Sequence, residues 1–93
     1  MKFMLVFEWG PDTEVRKEGI KRFLDTGGQP PAGIQLLGRW TRADLSGGYV
    51  LFQCEDPKAI TEFALMWGDL MEVSIGPVIE DQELVDVLKR AGY

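Results

Sequence analysis

The sequence predicts a single α+β domain, with elements in the order β-α-β-β-α-β and a short helix after the last strand. Three observations predict it. Apolar residues alternate along short stretches rich in aromatic and β-branched side chains, and recur at helical spacing between them. Turn and cap residues punctuate the chain at the joins. Its 93 residues show no internal repeat or composition break, so residues 1–93 form one domain.

Residues 2–9, KFMLVFEW, alternate as a strand. Gly10-Pro11-Asp12 turns the chain, and Asp12 or Thr13 caps a helix running to about Asp25. Val15, Ile20, Phe23 and Leu24 share one stripe of that helix. The TGGQPPAG segment ends it, because two prolines and three glycines cannot continue a helix. Two strands follow over 34–42 and 46–54, with a turn at 43–45. Asp56-Pro57 opens the second helix, Asp as N-cap and Pro in the first helical position. Ala59, Ile60, Phe63, Ala64 and Trp67 lie on one face of it. A last strand covers 70–79, and Glu80-Asp81 caps a terminal helix with Leu84, Val85, Leu88 and Ala91 facing inward. This is the ferredoxin-like, split βαβ pattern: four antiparallel strands with both main helices on one face.

The other face of such a sheet is bare in a monomer. A hairpin centred on 43–45 sets Trp40 opposite Gly48, Gly38 opposite Val50, Leu36 opposite Phe52 and Ile34 opposite Cys54, an apolar set suited to lie under the helices. The same parity puts Phe3, Leu5, Phe7, Met71, Val73 and Ile75 with them. The second face then carries Met4, Val6, Leu37, Leu51 and Leu70, an apolar patch of the kind that marks an interaction surface. Two copies are therefore expected to pair sheet to sheet. Arg39 (opposite Tyr49), Glu8, Glu72, Gln53 and Ser74 share this face and are the candidate ligand-binding residues, lining a space between the paired sheets. The competing role for Arg39 is an ion pair with Glu8 or Glu72, or with their copies, that fixes the register of the pair.

Composition removes whole classes of function. With 10 basic and 15 acidic residues the net charge is −5, which repels nucleic acid phosphates and offers no basic patch to a membrane. Gly48-Tyr49-Val50-Leu51-Phe52 sits on the third strand, where RNA-recognition domains carry stacking aromatics. Here, however, the leading basic residue is missing and Gly47 stands at the earlier aromatic position. The opening strand is too short for a secretory leader, and no apolar run reaches membrane length, so a cytoplasmic address is expected. Cys54 alone makes neither a disulfide nor a multi-thiolate metal site. Absence of histidine removes imidazole catalysis and His-ligated metals, leaving any catalysis to carboxylates, Lys, Arg, Tyr, Cys or an imported cofactor; no metal and no cofactor are expected.

Three segments, IKRFLDTGGQPPAGIQLLGRW, SGGYVLFQCEDPKAI and WGDLMEVSIGPVIEDQE, resemble a family of small uncharacterised bacterial proteins in the dimeric α+β barrel group. The resemblance covers nearly the whole chain. It implies a homodimer whose two sheets form a barrel around a small-molecule pocket, and it supplies no reaction. Relatives often carry His after Gly-Arg-Trp, where this chain has Thr41, so activity through that imidazole is not implied here. The wider group includes cofactor-free oxygenases, but fold does not transfer function.

The remaining motifs read as structure. Trp67 shares a stripe with Phe63 and Ile60 and belongs to the core, Trp40 packs over Gly48, and Trp9 covers the first helix. The glycine pairs at 27–28 and 47–48 fit no nucleotide-binding fingerprint. The expected function is a homodimeric protein binding a small organic molecule between its sheets. The alternatives are a cofactor-independent oxygenase or isomerase, with Arg39 polarising a carbonyl or carboxylate and Tyr49 or Glu72 moving a proton, and a structural or regulatory dimer with no ligand.

Overall fold

The computed structural model describes residues 1–93. Strands β1 (Lys2–Trp9), β2 (Ile34–Thr41), β3 (Gly47–Cys54) and β4 (Met71–Val78) form one antiparallel sheet in the order β2-β3-β1-β4. Helices α1 (Thr13–Thr26) and α2 (Pro57–Trp67) cross one face of it, and α3 (Asp81–Arg90) follows β4. The fold is ferredoxin-like, as the sequence predicts. Its boundaries fall where local chemistry places them. Asp12 accepts the Glu14 N–H at 2.9 Å to start α1, and Asp56 accepts the Lys58 N–H at 3.0 Å ahead of Pro57 to start α2. Gly27 ends α1 at φ 70°, a left-handed conformation that glycine adopts without penalty.

The buried core is small and lies beneath α2. Leu5, Val50, Phe52 and Cys54 of the sheet meet Ala59 and Phe63 of the helix. Phe52 stacks on Phe3 and takes the edge of Phe63, with ring centroids 5.6 and 5.5 Å apart. Only 10 of the 93 residues are buried, so much apolar surface lies outside this core. The molecule is elongated, 51 × 29 × 18 Å.

Three expectations fail. The first is the parity of β2. The pairs Ile34–Cys54, Gln35–Gln53 and Leu36–Phe52 hold, but Leu37 is bulged out, and pairing resumes with Gly38 opposite Leu51 and Arg39 opposite Val50. One extra residue reverses every later side chain. Arg39 therefore lies on the helix side, and Trp40, opposite Tyr49, lies on the open face at 56% exposure. The Trp40 indole covers Gly38, while the space at Gly48 belongs to Phe7.

The second is Leu70, which precedes β4 and turns its side chain toward α1 near Gly19, leaving the open face. The third is α3. Glu83 accepts the Glu80 N–H at 3.1 Å, and Lys2 pairs with Glu80 at the helix start. No residue of α3 is buried, however, and Leu84, Val85, Leu88 and Ala91 face no element of their own chain. The amphipathic pattern is real, but the elongated chain supplies nothing for it to cover.

Candidate functional site

Between α1 and the sheet lies a cavity of about 600 Å³. Leu5, Phe7 and Val50 form its floor, Phe63 and Trp67 of α2 one wall, and Ile20, Phe23 and Leu24 of α1 its roof. The apolar stripe predicted for α1 is therefore present but does not descend into the core. Ile20, Phe23 and Leu24 remain 39%, 42% and 74% exposed.

The helix is held around its edges. Gly19, its one buried residue, faces the Trp9 indole so closely that a β-carbon there would collide with the ring. Arg22 makes a bidentate pair with Asp69 at 2.9 and 3.0 Å, donates to the Met66 carbonyl and lies over Trp67, which ties α1 to the end of α2. The hydrogen bond from Arg22 holds the Asp69 carboxyl below its ordinary range. Arg39 makes the third attachment. Its Nη1 donates to the Gly28 carbonyl at 2.8 Å and its Nη2 to the Gly27 carbonyl at 3.2 Å, with the guanidinium over the Phe23 ring. A cation suits the carbonyl end of a helix.

The cavity contains the cations Arg16 and Arg39 and no carboxylate. Thr41 and Leu45 complete its rim. Leu45 sits in the β2–β3 turn at φ 63°, unusual for a leucine, where its N–H reaches the Arg42 carbonyl at 2.9 Å.

Of the residues predicted for a ligand site, Arg39 alone lines this cavity. The others lie on the open face and do not converge as one group. Glu8, Glu72 and Ser74 share a shallow hollow of about 260 Å³ with Val6 and Val73, Glu8 standing directly opposite Glu72 in the β1–β4 ladder. Tyr49 is close to them through Arg42, whose Nε donates to the Tyr49 hydroxyl at 3.1 Å and whose guanidinium lies 3.9 Å from Glu8. The arginine expected beside Tyr49 is thus Arg42. Gln53 sits at the far end of β1, opposite Lys2, about 20 Å from Glu8 along the strand, and donates to Glu55 at 2.8 Å. Arg39 is separated from Tyr49 and Glu72 by the sheet, so one bound molecule cannot touch all three. No three His, Cys, Asp or Glu side chains gather as metal ligands.

Sequence reasoning missed most of the cavity. By charge, Arg16 reads as standing off the apolar stripe of α1, but it lines the cavity with Ile20 and Phe23, and its position four and seven residues before them was the signal that it faces the same way. A family model described as a domain of unknown function, DUF3303, matches residues 1–92. The chain belongs to that family. The matched span of the DUF3303 chain takes in every residue lining the cavity. No curated protein sequence matches it. Among solved structures it is similar to "Structure of Rv0793 from Mycobacterium tuberculosis", at 14% identity and a TM-score of 0.47, over 87% of this chain and 99% of that one.

Proposed function

We propose that this DUF3303 chain is a small-molecule-binding protein that works as a homodimer in the cytosol and holds an apolar organic molecule beneath α1. The observation that carries the reading is the cavity of about 600 Å³, within the range of sites for small organic ligands and lined mainly by apolar and aromatic side chains. Its position moves the ligand from between paired sheets to the helix side of each sheet. The hollow on the open face is smaller and has two opposed carboxylates on its walls.

Pairing is supported by the apolar surface the monomer leaves uncovered. Met4, Val6, Leu51 and Trp40 share the open face, and α3 carries Leu84, Val85 and Leu88. Burying that surface in a second copy gives α3 the covering its own chain lacks. A cytosolic address fits one free, buried cysteine, and no helix is long and apolar enough to cross a membrane.

Two measurements test this reading. Light scattering over a dilution series is expected to give twice the chain mass; a monomer at high micromolar concentration removes the dimer. Ile20→Trp fills the cavity from its roof at a residue that lies outside the buried core, so it is expected to retain the fold, by circular dichroism, while abolishing the thermal stabilisation that small apolar compounds give the unmodified protein. Equal stabilisation of both forms excludes the cavity as the binding site.

A further inference from the structure

Resting on the reading that the cavity beneath α1 is the ligand site, we infer that its ligand is an organic carboxylate, with an apolar body over Leu5, Phe7 and Val50 and its acid group on Arg39. The charge distribution argues for this class. The chain carries five more acidic than basic residues, yet the charged groups lining the cavity are Arg16 and Arg39 alone. Neither forms an ion pair, whereas Arg22 and Arg42 each have a carboxylate within 4 Å. A partly buried cation beside apolar walls lacks the counter-ion that would offset its desolvation. An anionic ligand supplies it.

Arg39 is the better placed of the two. Two carbonyl bonds and the Phe23 ring fix its guanidinium, so little side-chain freedom is lost on binding. Those bonds use two of its five N–H donors and compensate none of its formal charge; three donors remain for a carboxylate. Arg16 lies toward the other end of α1, separated from Gly27 by about 16 Å of helix, and adds to the positive field without sharing the Arg39 site. Leu24 and Leu45, both exposed, line the cavity and are placed to cover the apolar body as it enters.

The test uses matched acids and amides, octanoate against octanamide and 2-naphthoate against 2-naphthamide, titrated calorimetrically into the full chain at neutral pH. The acid of at least one pair is expected to bind about tenfold or more tightly than its amide, the advantage of a charge-assisted hydrogen bond. Arg39→Gln is expected to remove the advantage of the acid over its amide, read as the ratio of the two affinities in the same variant, because any loosening of α1 acts on both compounds alike. Arg39→Lys keeps the charge and is expected to keep most of the preference. Equal binding of acid and amide by the unmodified protein overturns the carboxylate and leaves the small-molecule reading standing. A preference that persists in Arg39→Gln overturns the role of Arg39. Failure of all four compounds to bind overturns both readings.

Discussion

Helices α1 and α2 cover the same face of the same sheet, and only α2 builds a core. Ala59 and Phe63 of α2 are buried, with small Ala59 letting the helix approach and Phe63 filling the space against Phe52. Helix α1 buries only Gly19, against the Trp9 indole, and hangs otherwise from arginine contacts near its end and at its flank. Similar amphipathic patterns thus yield a packed layer in one case and the roof of a cavity in the other. What separates them is whether the large side chains meet the sheet or a bulky prop holds the helix off.

The contrast can be broken most strongly at the two phenylalanines. Phe63→Ala is expected to cost about 3–5 kcal/mol in urea unfolding, and Phe23→Ala about 1 kcal/mol or less, because the latter is already half in solvent. Equal losses show that α1 is packed as tightly as α2.

A second experiment sharpens the role of the prop. Gly19→Ala alone is expected to destabilise by about 1–3 kcal/mol through collision with Trp9. In a Trp9→Leu background the same change becomes neutral or stabilises by up to about 1 kcal/mol, the helix preference of alanine. A sign that does not depend on residue 9 removes Trp9 as the spacer.

The smallest effect is on pH. The folded state depresses the Asp69 carboxyl through Arg22, so this contribution is present above the unfolded carboxylate range and is lost as pH falls through the lower folded value. Lowering pH from about 5 to about 3 is therefore expected to reduce amide protection in α1 relative to α2, and Asp69→Asn to remove that difference. Glu55 and Glu80 are likewise depressed, by the N-terminus and Lys2, but neither holds α1. Protection that falls equally in both helices separates Asp69 from the attachment of α1.

Element order and boundaries were legible because their signals are local: Asp12, Gly27 and Asp56-Pro57 act within one turn of themselves. The parities of β1 and β4 were legible too, since Phe3, Leu5 and Phe7 alternate without interruption opposite Val73 and Ile75. The candidate site was not. Continuing the alternation through Leu37 gave an apolar set that included Trp40, and nothing near Arg39 in sequence announces that Gly27 and Gly28 carbonyls will receive it. Gly38 was the one local hint, as glycine within a strand often accompanies a bulge. For α3 the periodicity was read correctly, but its inward direction presumed a surface that the chain itself does not provide.

The bulge at Leu37 also gives β2 one residue that its partner strand does not need. Loss of that single codon would leave Leu36 opposite Phe52 and Gly38 opposite Leu51, restoring regular alternation with Arg39 and Trp40 on the surfaces they already hold. The cation would stay above the cavity floor and the indole on the outer sheet. Among descendants of such a chain, β2 could therefore shed the bulge in one mutational event without changing ligand preference or pairing surface, whereas exchanging the residues at 39 and 40 would require two.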